Sequence, residues 1–355
     1  MISQFEIRNF KCYKHWKQGG LKRFNFLVGE SGVGKTAFLE ALFMMGASNP
    51  EIWFRIRRWR GQGEGPIQLA TRDNYESVFR DLFYQYNQRE VASIGIWDSE
   101  NGKRKLEVFY ENQDVYTLPL KEFKQEERRN AFSINPIIFK WELRDRVQRS
   151  SVEIIDGNLR MTGGGEVYPC ILVSQKSHSG REYAQYFSNL SRARKAGPVL
   201  GAMQDIFPKI RGISIEMLAG EPVVFCNVEG LDELIAIGDM SGGLERYLSL
   251  AVSILTNRNG AVLVDEFETG FYYRNLPAIM TGIIKLCDLC NVQLFATTHS
   301  YELLKTVAQT MGSAQKGAKE FCILRLEKGE STQPDITLIE GESSQFALEN
   351  DSEIR

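Results

Sequence analysis

The chain has 355 residues, 43% hydrophobic and 25% charged, an ordinary globular composition with length for one large domain or two smaller ones. Its 43 basic and 45 acidic side chains nearly cancel, so nucleic acid or an anionic membrane could be held only by a local patch. The longest apolar runs fall well short of the ~20 residues that cross a bilayer, and the start, Met1-Ile2-Ser3-Gln4-Phe5-Glu6, reads as neither a secretory nor a transit peptide, so a cytoplasmic protein without membrane contact is expected.

Along the chain, Ile2 to Phe10 and Phe24 to Val28 read as strands, being rich in β-branched and aromatic residues and ending in turn chemistry. Gly29-Glu30-Ser31-Gly32-Val33-Gly34-Lys35-Thr36 follows directly and matches the phosphate-loop pattern G-x-x-x-x-G-K-[ST]. Its glycines let backbone N–H groups converge on phosphate oxygens, and the helix that follows adds its partial positive charge. Phe38, Leu39, Leu42 and Phe43 give that helix one buried face. In such a loop Lys35 reaches the β- and γ-phosphates of ATP and the Thr36 hydroxyl ligates Mg²⁺.

Trp53-Phe54-Arg55-Ile56-Arg57-Arg58-Trp59-Arg60 is the one dense basic and aromatic cluster. It suits phosphate contact and base stacking, so nucleic acid is a candidate ligand, and it equally suits a protein interface or a solvated amphipathic segment. Arginines 55, 57, 58 and 60 are expected to form a contact surface. From about Asn49 to Ile210 the pattern is irregular, with short strand-like pieces (Ser93 to Trp97, Leu106 to Tyr110, Ile171 to Ser174) and the cluster Gly163-Gly164-Gly165. An inserted lobe over 49–204 is expected, within a core made of 1–48 and 205–355.

Regular α/β character returns at Leu244, where Leu244, Leu248, Ala251, Val252 and Leu255 trace a helix. Met240-Ser241-Gly242-Gly243 precedes it, and Ser241 suits either a plain N-cap or a second anion site on bare glycine amides. The apolar strand Ala261 to Val264 ends in Asp265 and Glu266. A strand apolar throughout is central, so its carboxyl end opens on the ligand crevice of a parallel sheet. There Asp265 would hold Mg²⁺ and Glu266 would orient or deprotonate water, unless the two acids merely cap the strand. A helix from Leu276 to Cys287 and a strand from Val292 to Thr297 complete the pattern. Six cysteines are too few and too scattered to staple a chain of this length, and Cys287-x-x-Cys290 lacks a second ligand pair, so helix packing accounts for it best. The last dozen residues are polar and expected to fray.

Taken in order, Ser241-Gly242-Gly243, Val264-Asp265-Glu266 and Thr297-Thr298-His299-Ser300 resemble the signature, Walker B and H-loop of ABC-type ATPase heads. Ile7-Arg8-Asn9-Phe10-Lys11-Cys12-Tyr13 resembles the opening of RecF, SMC and OLD-type ATPases, and Asp265-Glu266-Phe267-Glu268-Thr269-Gly270 resembles the OLD-type D-E-x-E-N-G segment. The resemblance implies an α/β P-loop NTPase with a mostly parallel sheet and an inserted lobe. It also implies a homodimer or higher homo-oligomer sandwiching two ATP molecules between paired heads, with Ser241, Gly242 and Gly243 acting in trans and His299 as the switch histidine touching the γ-phosphate or the attacking water. Ser31 stands where these families usually carry asparagine, Thr269 replaces the asparagine of E-N-G, Tyr272 takes the place of a frequent histidine, and no Q-loop glutamine is assignable. Roughly thirty residues follow the strand Cys322 to Leu326, too few for the Toprim nuclease of OLD proteins. The expectation is therefore an ATP-hydrolysing switch controlling a separately encoded effector, in DNA maintenance or anti-phage defence, with a non-hydrolysing ATP-dependent scaffold as the alternative.

Overall fold

The apolar run Ala261–Val264 forms a strand with all four side chains buried, which requires covered sheet on both sides. In the computed structural model it pairs in parallel with Gln293–Thr297 on one side (Leu263 opposite Phe295) and with Cys170–Val173 on the other (Leu263 opposite Leu172). The full six-stranded order is Pro334–Glu340, Phe321–Lys328, Phe24–Gly29, Gln293–Thr297, Ala261–Val264, Cys170–Val173. All neighbours are parallel except Pro334–Glu340, which returns antiparallel along Phe321–Lys328. The structure describes residues 1–62, 72–100, 102–111, 135–155, 158–174, 180–312, 317–329 and 332–343; the polar tail expected to fray lies almost wholly outside them.

The chain divides into two units. The first contains Met1–Ser3, Gly20–Phe43 and Pro169–Arg355 and carries the parallel sheet. Its core joins Phe24, Phe26, Val262, Val264, Leu294 and Ala296 from the sheet to Leu248, Leu250 and Val252 of the helix Gly242–Thr256 and to Met280 and Ile283 of the helix Leu276–Cys290. Cys287 and Cys290 are buried in that second helix, and burial raises both thiol pKa values, so they are packing groups rather than thiolates. No helix among the described residues is long and apolar enough to cross a membrane.

Gln4–Gly19 and Met44–Tyr168 make the second unit. There a seven-stranded sheet runs Tyr13–Gly19, Ile2–Phe10, Ala92–Asp98, Gly102–Tyr110, Ile137–Leu143, Arg146–Ile155, Asn158–Met161, antiparallel between the first two strands and along the run from Ala92–Asp98 to Asn158–Met161. Tyr75 of the helix Arg72–Arg80 is fully buried; its hydroxyl donates to Val152 O at 2.5 Å and accepts from Ile137 N at 2.9 Å.

These boundaries differ from the division at 49 and 204. Cys170–Val173 joins the parallel sheet because its apolar side chains complete the burial of Ala261–Val264. The amphipathic helices Gly180–Arg192 and Gly197–Ile206 bury Tyr183, Ala184, Phe187, Val199 and Met203 in the first unit's core. Conversely Gln4–Gly19, placed in the core by sequence, pairs into the antiparallel sheet. Within the stretch read as irregular, the strands from Ala92–Asp98 to Asn158–Met161 form an antiparallel meander, with Lys and Glu on the outward positions of Gly102–Tyr110 and Ile137–Leu143.

The Trp53–Arg60 cluster lies on the helix Glu51–Trp59. Trp53 is fully buried and donates its indole N–H to Val78 O, and Arg57 pairs with Asp81 at 3.1 Å. The expected surface of four guanidiniums is therefore reduced, since Arg57 is engaged within the unit while Arg58 and Arg60 are exposed. A buried Trp53 cannot stack a base.

Gly282, on the helix Leu276–Cys290, faces the buried Tyr247: a Cβ there would fall 2.0 Å from the tyrosine oxygen. Gly282→Ala should therefore destabilise the protein by about 1–3 kcal/mol, read as a lower denaturation midpoint. Adding Tyr247→Phe should recover most of the loss, because the hydroxyl has no hydrogen-bond partner among the described residues.

Candidate functional site

The strand Phe24–Gly29 and the helix Lys35–Gly46 place the glycine loop between a buried strand and a helix N-terminus. Gly29 has φ +135°, and a Cβ would lie 2.0 Å from Leu326 O, so no other residue fits without moving that strand. Lys35 is buried, and its Nζ donates to Gly29 O and Glu30 O, both at 2.7 Å, which aims the ammonium across the loop. Desolvation lowers its pKa, opposed by Asp265, Glu266 and Glu268.

Parallel pairing brings the carboxyl ends of three strands together here. Thr36 Oγ1 donates to Asp265 Oδ1 at 3.1 Å, across 229 residues of sequence. Thr297, ending the strand Gln293–Thr297, donates its hydroxyl to the same Oδ1 at 2.7 Å and accepts the Glu266 N–H at 2.8 Å. Glu266 takes a left-handed backbone conformation, φ +49°, which costs a non-glycine residue about 1 kcal/mol. The strained turn directs Glu266 out of the strand line, where Thr269 Oγ1 donates to Glu266 Oε2 at 3.3 Å. Burial raises the Asp265 pKa, while the hydroxyls of Thr297 and Thr36 pull it down.

His299 is exposed, and its backbone N–H donates to Glu268 Oε1 at 2.8 Å. The other oxygen, Glu268 Oε2, is buried with no partner among the described residues. Ser241 occupies the N-cap position of the helix Gly242–Thr256 but makes no side-chain cap hydrogen bond, so the hydroxyl is not used as a plain cap. Gly243 packs on the turn after the acids, where a Cβ would meet Gly270 O at 2.6 Å.

Thus the structure brings Lys35, Thr36, Asp265, Glu266 and the His299 loop into one connected set. Ser241, Gly242 and Gly243 reach it through the Gly270 turn. Sequence reasoning passed over Arg246 and named Glu268 only as part of a motif, with no role. Arg246 Nη2 donates to Asp265 O at 2.9 Å and to Glu266 O at 3.4 Å, tying the helix Gly242–Thr256 to the acidic turn, and burial lowers its pKa. The available signal was a charge amid the apolar run Leu244, Tyr247, Leu248 on a buried helix.

A family model described as "AAA domain, putative AbiEii toxin, Type IV TA system" matches residues 24–305. The chain belongs to this family. With its phosphate loop on a strand–helix junction, this AAA-domain chain has the arrangement of a P-loop NTPase. It is similar to a Helicobacter pylori protein named ATP/GTP phosphatase, 21% identical over 91% of this chain and 92% of that one. It also resembles the SMC head domain from Thermotoga maritima (11% identity, TM-score 0.43, 96% of this chain and 99% of that one). A third likeness is the Smc head domain with an extended coiled coil bound to the C-terminal domain of ScpA from Pyrococcus furiosus (14% identity, TM-score 0.49, 99% of each).

Asp265 carries a burial penalty whenever it is ionised, and this gives a pH signature. Its folded pKa lies above the unfolded value, so its protonated form favours folding at low pH and that contribution is lost as pH rises through the folded pKa. Asp265→Asn should raise the nucleotide-free melting temperature by a few degrees near pH 7. The gain should shrink as pH falls towards about 4, the unfolded Asp value, in thermal scans across that range.

Proposed function

We propose that this AAA-domain chain hydrolyses ATP to ADP and phosphate, and that nucleotide occupancy drives a homodimer that controls a separately encoded effector, with DNA maintenance or anti-phage defence as the setting. The observation that carries the reading is the facing pair Thr36 and Asp265, 3.1 Å apart beneath the phosphate loop, with Glu266 beside them. The name of the Helicobacter pylori relative supports phosphatase chemistry on a nucleoside triphosphate.

The donor set fits Mg²⁺: a hydroxyl and a desolvated carboxylate are the hard oxygen ligands that ion takes, and a cation relieves the penalty on Asp265. When bound, Mg²⁺ neutralises charge on the β- and γ-phosphates. The chain's own groups do the rest. Amides from Glu30 to Thr36 and the Lys35 ammonium hold the phosphates, with Gly29, Ser31, Gly32, Val33 and Gly34 shaping the loop. Glu266, held by Thr269 and its strained turn, orients the attacking water and accepts its proton. His299 faces the γ-phosphate from a loop fixed by Glu268.

An uncapped Ser241 with Gly242 and Gly243 leaves donors for the γ-phosphate held by the partner subunit. Such a self-complementary contact calls for two-fold symmetry and two nucleotides per pair of chains.

Lys35→Ala should abolish ATP binding in titration calorimetry while leaving the fold intact. Glu266→Gln should cut turnover by at least about 100-fold at near-normal affinity, since an amide keeps the size but cannot take the proton, and light scattering with Mg·ATP should show dimers accumulating. Ser241→Arg should bind ATP yet not turn it over. Wild-type hydrolysis by Ser241→Arg would mean that one chain completes the site alone. Tight binding with zero turnover in the parent, with and without DNA, would mean a scaffold rather than an enzyme.

A further inference from the structure

The Gly163-Gly164-Gly165 cluster has no part in the nucleotide site. It lies in the second unit, beside a pocket of about 390 Å³ lined by Arg104, Trp141, Arg146, Gln148, Gly164 and Gly165. Strand register builds this pocket. Arg104, Leu143 and Arg146 are direct partners across three strands, and so are Leu106, Trp141 and Gln148 in the next row on the same face. One row thus brings two guanidiniums to the pocket and the other an indole and an amide.

The donors there are deeply placed. Arg104 is 3% exposed, and its Nη2 donates to Ala47 O at 2.7 Å and Glu166 O at 3.1 Å. Trp141 is 2% exposed, and its Nε1–H finds no hydrogen-bond partner among the described residues. Ser150, two residues beyond Gln148 on the same strand face, buries a hydroxyl that also has no partner among them. A buried donor without an acceptor is costly, and the Trp141 indole, on a residue that lines the pocket, calls for a ligand that supplies the acceptor.

The glycines support the same conclusion. At 163, in a φ +146° conformation, a Cβ would fall 2.4 Å from the buried Ser150 Oγ, and at 165 it would displace the Gln148 amide, whose Oε1 lies 1.7 Å away. Gly164 has φ +147° with nothing within 4 Å of its Cβ position, so the middle glycine opens bare backbone to free space in a conformation few other residues adopt. Glu166 is the one carboxylate lining the pocket among the described residues; the residue is exposed, and its carbonyl is what meets Arg104.

We propose that this pocket is a second ligand site, independent of the ATPase reading, that binds the phosphate of a small phosphomonoester of nucleoside monophosphate size. Two arginines, an indole N–H and exposed glycine backbone supply donors beside the apolar Leu143 and Val147, and the two guanidiniums match a dianion with several acceptor oxygens. The volume lies within the range of small-molecule sites and far exceeds a bare phosphate, leaving room for the rest of the ligand against Leu143 and Val147. Arg146 is exposed at the rim and meets the ligand first.

The test is calorimetry on the full chain carrying Lys35→Ala, which silences the phosphate loop, with AMP, adenosine and a single-stranded oligonucleotide as probes. AMP should bind once per chain and adenosine should not. Adding Arg146→Gln should weaken AMP at least tenfold, and Trp141→Phe should weaken it severalfold. In the otherwise native chain Arg146→Gln should leave ATP turnover unchanged. Should Lys35→Ala fail to fold, the same comparison is made on the native chain with its loop saturated by Mg·ADP. No AMP binding, equal AMP affinity with and without Arg146, or binding of the oligonucleotide in place of AMP would each overturn the proposal.

Discussion

The Thr297 hydroxyl joins the two strands on which the candidate site depends. It donates to Asp265 and accepts from the Glu266 amide, so one side chain at the end of Gln293–Thr297 fixes both acids at the end of Ala261–Val264. Only parallel neighbours present their carboxyl ends side by side, and the strand Phe24–Gly29 on the other flank delivers the phosphate loop to the same edge. The strain in the Glu266 backbone persists because Thr297 and the Thr269 N–H bonded to Glu266 O hold the turn from both sides.

Burial sets the electrostatics around that junction. Lys35 and Arg246 are pushed towards their neutral forms by desolvation and pulled back by Asp265, Glu266 and Glu268, while Asp265 is pushed towards its protonated form. Such a cluster adds little net stability, because desolvating several charges offsets their mutual attraction. Under the proposed function, dipoles and charges already in place would need little rearrangement when a triphosphate and its cation enter.

Arg246 and Glu268 give the cluster reach. Arg246 joins the helix that follows Ser241 to the carbonyls of both acids, and Glu268 joins the same turn to the backbone of His299. A shift of either the helix Gly242–Thr256 or the His299 loop is therefore felt at Asp265 and Glu266 through hydrogen bonds, with no long pathway required. The second unit follows a different logic. Its antiparallel meander pairs Lys with Glu on the outward positions, as in Lys105, Glu107 and Lys140, and places Arg104 and Trp141 on the opposite face.

Local signals were legible in the sequence wherever chemistry demanded fixed residues at fixed spacing. The glycine loop with Lys35 and Thr36, the apolar strand ending in Asp265 and Glu266, and the helix from Leu244 depend on neighbours in the chain, and the strand Ala261–Val264 appears with the expected bounds. Tertiary structure alone decided the contacts that join distant segments: Thr36 to Asp265, Arg246 to two carbonyls, Glu268 to the His299 amide. It also decided which unit each strand serves. Cys170–Val173 and Gln4–Gly19 changed sides because a strand's sheet is chosen by the partners that satisfy its backbone and cover its faces, and those partners are remote in sequence. Spacing reveals which groups a loop or helix presents, but burial, strain and cross-strand register exist only once the chain has closed on itself.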